Sequence, residues 1–243
     1  AVRLKIYRFG VYNLFVIFFI LILGAGIIAF SGKFPLINKT IISLKSFLLI
    51  NQSQFKRAEQ LINEALTNDS ENTDLQIILQ TIYYYDGDHQ KSYKIGKKIL
   101  DKLSESERNF KNELYLSALA NLSLSAIEIN EDYSKEFGIL KKYLETSEDI
   151  KPEILETIGW LYIQKQNFAV GEELICKYFD EKQSFSELEI AEVNYHLGYM
   201  YYKKLEYSNA LVYFKKSAKF GKTNYFSIKS DNYIQLLAQR AAV

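Results

Sequence analysis

The sequence predicts an all-α protein that begins with a membrane-spanning helix. Only two of its 243 residues are proline, whereas Leu, Ile, Lys and Glu, which favour helices, are abundant. From Asn38 onwards, apolar residues recur at helical spacing and are interrupted about every 15 to 20 residues. Similar residue types also return at regular intervals along this part of the chain, which indicates a repeated unit. We therefore expect one membrane helix followed by a stack of helix pairs.

Residues 11–30 form an apolar run without a charged residue. A helix of this length spans about 30 Å, the thickness of the hydrocarbon core of a bilayer. The apolar core of a cleaved signal peptide is shorter, at about 7–15 residues, so we favour an uncleaved signal anchor. Ala29, Phe30 and Ser31 form a passable cleavage signal, which leaves the cleaved alternative open.

The residues that precede the apolar run predict its orientation. Arg3, Lys5 and Arg8 lie there without any acidic residue. The positive-inside rule places this end in the cytoplasm and the bulk of the chain across a bacterial inner membrane, in the periplasm. The predicted segments are 1–10 (cytoplasmic basic segment), 11–30 (transmembrane signal anchor), 31–37 (linker) and 38–243 (helical repeat region with a capping helix).

Residues 194–221 contain the clearest repeat unit, with two amphipathic segments separated by a turn at Tyr207. The characteristic residues are Leu197, Gly198 and Tyr201 in the first segment, and Ala210, Phe214 and Ser217 in the second. Their spacing resembles the tetratricopeptide repeat (TPR), in which Leu-Gly, Tyr, Ala, Phe and a small residue recur over about 34 positions. The resemblance implies an α-solenoid built from helical hairpins.

Weaker copies of this unit precede it. We expect about five helix pairs within 38–222, followed by a capping helix over 224–242. The first-segment signature recurs clearly at Ile158, Gly159 and Tyr162. The second-segment signature recurs at Phe55, Ala58, Ile62 and Ala65; at His89, Ser92, Gly96 and Ile99; at Tyr133, Glu136, Leu140 and Tyr143; and at Phe168, Gly171, Ile175 and Tyr178.

The repeated residues have a structural explanation. Small residues such as Gly198 and Ala210 let the two helices of a pair approach closely, and Tyr201 and Phe214 fill the space between one pair and the next. A single pair cannot bury its apolar face, so stacking makes the core continuous. Larger residues at the small positions would overpack this contact, at a cost of about 1–3 kcal/mol.

Few chemically reactive residues lie close together in the sequence. His89 and His196 lack the neighbouring Cys or His of a zinc site, so we interpret both as ordinary surface or semi-buried histidines. Cys176 is the single cysteine and has no nearby histidine to activate it, so we expect a buried, inert thiol. Phosphate-binding and nucleophile motifs are absent from the sequence. The sequence therefore predicts no enzyme activity, no metal and no cofactor.

The resemblance also implies a binding surface. In TPR proteins the first helices of successive pairs line a concave groove that binds ligands, and aromatic residues there suit a protein partner. The alternative, that these aromatic residues pack internally, stays open. The residues predicted to bind a partner are Tyr84, Tyr85, Trp160, Tyr195, Tyr199, Tyr202 and Lys203.

These observations favour a scaffold over an enzyme. The formal net charge of +1 argues against nucleic-acid binding. We expect a membrane-anchored TPR scaffold that contacts the bilayer through 11–30 and other protein subunits through its repeats, within a bacterial envelope complex. The membrane-anchored TPR proteins of the spirochaete flagellar collar are similar in organisation. A periplasmic adaptor of a chaperone or translocon is the alternative.

Overall fold

The computed structural model describes residues 35–220 and 224–241. Helix is the regular secondary structure throughout these ranges, which contain no strand, and this confirms the predicted all-α class. Within the same ranges no helix combines the length and apolar character needed to cross a membrane. The predicted signal anchor over 11–30 and the basic segment before it lie outside the described residues.

The described residues form eleven helices in the predicted succession of five pairs and one final helix. The first helix begins at Pro35, within the predicted linker. Of the described residues, 35–45 belong to one compact unit, and 46–220 with 224–241 belong to a second. The helices are α1 (Pro35–Asn51), α2 (Phe55–Asn68), α3 (Thr73–Asp86), α4 (His89–Lys102), α5 (Glu113–Glu128), α6 (Ser134–Thr146), α7 (Pro152–Gln164), α8 (Phe168–Glu181), α9 (Glu187–Lys203), α10 (Tyr207–Ala218) and α11 (Tyr225–Ala241).

A residue with left-handed backbone ends the first helix of every pair. In the last pair the amide of Glu206 donates to the carbonyl of Tyr201 at 2.9 Å, and the amide of Leu205 donates to the carbonyl of Tyr202 at 3.1 Å. These bonds satisfy carbonyls that the helix end would otherwise leave free, and they turn the chain back for the second helix. The left-handed residues are Ser53, Gly87, Asn130, Gln166 and Leu205.

Small residues allow close helix contacts within the pairs, as the sequence predicts. A Cβ atom added to Gly171 on α8 would lie only 2.8 Å from the carbonyl oxygen of Gly159 on α7 and 2.6 Å from Cγ1 of Ile163. In the fifth pair, a Cβ atom on Gly198 would lie 2.7 Å from the ring of Phe214, which is fully buried. The two backbones therefore approach more closely than a side chain would permit.

The first helices of the pairs, which we call the inner helices, also pack against one another. Helix α3 contacts α5, α5 contacts α7, and α7 contacts α9. Helix α11 covers α10 and α9, as expected of a capping helix, but it also contacts α3. The second and fifth pairs are therefore brought together, and residues that are far apart in the sequence meet between these inner helices.

We expect Gly171→Ala to lower the free energy of unfolding by about 1–3 kcal/mol, because the added methyl group must push α7 and α8 apart. Urea unfolding of the purified protein measures this change. Gly138→Ala is the matched control, since no atom lies within 4 Å of a Cβ added at that position of α6. Alanine favours helix over glycine, so the control should gain about 0.5–1 kcal/mol. A Gly171→Ala protein as stable as the control would contradict the proposed close contact.

Candidate functional site

Two carboxylates and a histidine meet in the interior, between α7 and α9. Glu156 lies on α7, whereas Glu192 and His196 lie one helical turn apart on α9 and therefore share a face. The two glutamates are each 5% exposed and His196 is fully buried. One potential ligand atom from each of the three side chains lies within 4.8 Å of the others. We call these three residues the acid–histidine cluster.

Aromatic neighbours hold the cluster in place. The hydroxyl groups of Tyr84 and Tyr85 on α3 donate to the two carboxylate oxygens of Glu192, at 2.8 Å each. Nδ1 of His196 lies 2.5 Å from Oε1 of Glu156. The imidazole also stacks on the ring of Trp160, with centroids 3.9 Å apart and planes inclined by 12°. Among the described residues, nothing accepts or donates a hydrogen bond at Nε2 of His196.

Burial governs the charges of the cluster. Loss of solvent raises the pKa of Glu156 and of Glu192 to about 8, and for Glu192 the negative charge of Glu156 adds to this effect. Burial lowers the pKa of His196 to about 4. At neutral pH both carboxyl groups therefore carry a proton, and the imidazole of His196 is neutral. Lys182 acts on Glu156 but does not pair with it, because its amino group contacts the carboxylates of Glu153 and Glu189 at 2.6 Å each.

A cavity of about 180 Å³ leads to the cluster from the surface between α3, α5, α7 and α9. Its volume accommodates several water molecules or a small ligand. Its walls are acidic and aromatic, and Lys182 contacts only two of the four carboxylates. The polar and aromatic lining residues include Thr81, Tyr84, Tyr85, Asn121, Glu153, Glu156, Thr157, Tyr178, Glu189 and Glu192.

His89 is a second buried histidine, outside the cluster. Its ring packs edge-on against Tyr225 and Tyr84, with centroids 4.4 Å and 5.5 Å away. Neither ring nitrogen has a hydrogen-bond partner among the described residues, and burial lowers the pKa of the imidazole to about 4. Nearby, Lys229 contacts the carboxylate of Glu128 at 2.5 Å. His89 is therefore a neutral packing residue.

The structure separates the predicted partner-binding residues into two groups. Tyr84, Trp160 and Tyr195 are only 3%, 2% and 2% exposed, because the inner helices meet and their rings fill the space between them. These three rings offer almost no surface to a partner. The half-buried residues are Tyr85, Tyr199 and Tyr202, whereas Lys203 is exposed. Partner binding stays a prediction, and the accessible members of the set are the residues that can test it.

The expectations for three reactive residues were wrong. His89 and His196 are both buried, and His196 is paired with the carboxyl group of Glu156, whereas surface or semi-buried histidines were expected. Cys176 is exposed, whereas a buried thiol was expected. The spacing of Glu192 and His196, four residues apart on a predicted helix, was a signal for the cluster. Sequence spacing alone could not place Glu156 beside them, because that contact depends on the packing of α7 against α9.

Comparisons with known proteins identify distant structural similarity. No protein-family model and no curated protein matches the sequence. A tetratricopeptide repeat protein from Parabacteroides merdae is 16% identical over 87% of this chain and 90% of that chain, with a TM-score of 0.46. Pseudomonas aeruginosa pilF is 18% identical over 83% and 89%, with a TM-score of 0.45. YrrB, a TPR protein with an unusual peptide-binding site, is 15% identical over 77% and 88%, with a TM-score of 0.37. Similarity at this level assigns no function.

The cluster predicts a decrease in stability as the pH rises from 6.5 to 8. In this range the folded protein retains protons on Glu156 and Glu192 that the unfolded chain has already released, because both folded pKa values are about 8. At pH 6.5, their ordinary pKa, His89 and His196 are half protonated in the unfolded chain but neutral in the folded protein, so they partly oppose the change there. Above about pH 7.5 they are neutral in both states. We expect a loss of about 1 kcal/mol or more per pH unit.

Urea unfolding at several pH values, with a chelator present, measures this slope. Glu156→Gln together with Glu192→Gln should abolish most of it. Glu173→Gln together with Glu187→Gln, on exposed parts of α8 and α9, is the matched control and should leave it unchanged. An identical slope in the cluster variant would contradict the assigned charges.

Proposed function

We propose that this protein is a scaffold that binds other proteins through its helical repeats. The supporting sequence evidence is the TPR-like spacing, and the supporting structural evidence is the succession of closely packed helical hairpins. Such arrays offer extended surface to partners. The observation that carries the proposal is a group of half-buried tyrosines and exposed cations at the carboxyl-terminal end of α9, at the start of α10 and along the second half of α11.

We call this group the tyrosine patch. The amino group of Lys203 lies 5.2 Å from the ring centre of Tyr199. The guanidinium of Arg240 lies 5.6 Å from the ring centre of Tyr202 and 5.5 Å from that of the neighbouring Tyr207. The members of the patch are Tyr199, Tyr202, Lys203, Tyr207, Tyr233 and Arg240.

The residue types of the tyrosine patch, and the fixed positions of its rings, suit protein recognition. Tyrosine and arginine are the residues most enriched among those that dominate binding energy at interfaces. Tyr233 packs edge-on against Tyr202 and Tyr199, with centroids 5.1 Å and 6.1 Å away, so the rings are held in position before a partner arrives. Ordered rings lose little conformational entropy on binding. Exposed Lys203 and Arg240 favour a partner that presents carboxylates.

We also propose that the scaffold is held at a bacterial inner membrane by 11–30, with its repeats in the periplasm. The uncharged apolar run and the basic residues before it support this location. Membrane attachment suits a fixed subunit of an envelope complex, such as a collar around a flagellar motor. Extraction of membranes with carbonate tests the anchor, and release of the protein by carbonate would contradict it. Protease treatment of spheroplasts tests the periplasmic location, and protection of the repeats from external protease would contradict that location.

The charge reversals Lys203→Glu and Arg240→Glu together should reduce partner recovery at least tenfold, because they place acids where the patch offers cations to the partner. Crosslinking in intact cells, followed by mass spectrometry, measures recovery. Lys97→Glu with Lys98→Glu on the exposed face of α4 is the matched control and should leave recovery unchanged. Unchanged recovery with the patch variant would exclude this surface.

The same crosslinking experiment separates a fixed subunit from an adaptor. A structural subunit should yield a few partners in constant ratio, whereas a chaperone- or translocon-associated adaptor should yield many unrelated clients at low occupancy. Failure of the wild-type protein to crosslink to any other protein would contradict the scaffold itself.

A further inference from the structure

We propose that Glu156, Glu192 and His196 bind a divalent transition-metal ion, with zinc as the best match to their donor atoms. One imidazole nitrogen and two carboxylate oxygens are a donor set that zinc accepts, and catalytic zinc sites commonly have three protein ligands with water as the fourth. The binding of a metal is independent of the scaffold function proposed above.

The spacing of the donor atoms is close to that of a metal site. The three atoms lie within 4.8 Å of one another. Ligands of a tetrahedral zinc ion, at bond lengths of about 2.0–2.2 Å, lie about 3.4 Å apart. Small side-chain rotations would bring the donors to this distance. Nδ1 of His196, the nitrogen that faces Glu156, is the nitrogen that we assign to the ion.

The electrostatics of the interior favour a cation at this position. Two carboxylates that are 95% buried lie beside each other, and no lysine or arginine among the described residues forms an ion pair with either. A buried carboxylate without a compensating charge is costly, so both groups hold protons when no ion is bound. Lys182 and Lys229 are each paired with other carboxylates, and a divalent ion that displaces these protons would supply the positive charge that ionised Glu156 and Glu192 need.

The neighbours of the cluster have the roles expected around a metal. Groups that hydrogen-bond to or stack on the ligands orient them, and such contacts strengthen metal binding. Tyr84 and Tyr85 fix both oxygens of Glu192, and Trp160 fixes the plane of the His196 ring. The cavity that reaches Glu156 and Glu192 provides an entry path and room for a water ligand.

Metal titration of the full chain tests the proposal. The purified protein is stripped with EDTA, dialysed, and titrated with Co²⁺ and Zn²⁺. We expect one equivalent of Co²⁺ to give the visible absorption of a tetrahedral site, Zn²⁺ to displace it, and Zn²⁺ to raise the melting temperature. Glu156→Gln with Glu192→Gln, and separately His196→Gln, should each weaken binding at least thirtyfold.

Two further variants separate the ligands from their surroundings. Glu153→Gln with Glu189→Gln changes the two carboxylates that contact Lys182 in the same cavity, and it should bind metal as the wild type does. If circular dichroism shows that His196→Gln does not fold, the single variant Glu192→Gln replaces it in the titration. The amide of this variant can still form hydrogen bonds with the hydroxyl groups of Tyr84 and Tyr85.

Absence of stoichiometric binding by the wild type, or unchanged affinity in the folded cluster variant, would overturn the proposal. Loss of binding in the Glu153 and Glu189 variant would assign the ion to those carboxylates and would overturn it as well. The Lys203 and Arg240 variant should keep full metal binding, so failure of the metal proposal and failure of the scaffold proposal give different results.

Discussion

The hydrogen bonds from Tyr84 and Tyr85 to Glu192 join the second helix pair to the fifth, and the arrangement of the inner helices depends on this contact. The partners are separated by 108 and 107 residues in the sequence. All three side chains lie between the inner helices, where an unpaired hydroxyl or carboxylate would cost about 1–3 kcal/mol or more. Helix α11 reinforces the same approach, because it packs against α3 as well as α9 and α10.

We call this approach of the second helix pair to the fifth the closure. It determines which surfaces a partner can reach. A TPR-like array in which the inner helices stay apart has an open groove, but here Trp160 and Tyr195 fill the corresponding space. The proposed docking surface therefore lies at the helix ends, in the tyrosine patch, where rings and cations are accessible. The acid–histidine cluster lies in the interior behind a small cavity, so a metal ion is a more suitable occupant of the cluster than a protein segment. The two proposed sites use different residues and different chemistry.

Local sequence signals predicted the helices well, whereas the closure and the cluster depend on long-range packing. The starts of helices depend on local contacts: Pro152 begins α7, and Ser186 forms a reciprocal capping box with Glu189 at the start of α9. Both features act within one helical turn. Gly198 lies at a close contact within its pair, as its repeat position predicts, but the side chain that it meets is Phe214, which was expected to fill the space towards the next element. Phe214 also stacks on Tyr233 of α11, the helix that follows this pair. The approach of Glu192 to Tyr84 depends on the small rotation of each helix pair relative to the previous one, added over several pairs. A short stretch of sequence does not determine this total rotation. For the same reason the burial of Trp160 could not be predicted.

A double-mutant cycle between Tyr84→Phe and Glu192→Leu tests the closure most directly. Urea unfolding of the wild type, the two single variants and the double variant gives the coupling energy of the two side chains. A buried hydrogen bond to a carboxyl group predicts a coupling of about 1–3 kcal/mol. A coupling below about 0.3 kcal/mol would show that the second and fifth pairs do not meet through these residues, and it would contradict the proposed closure.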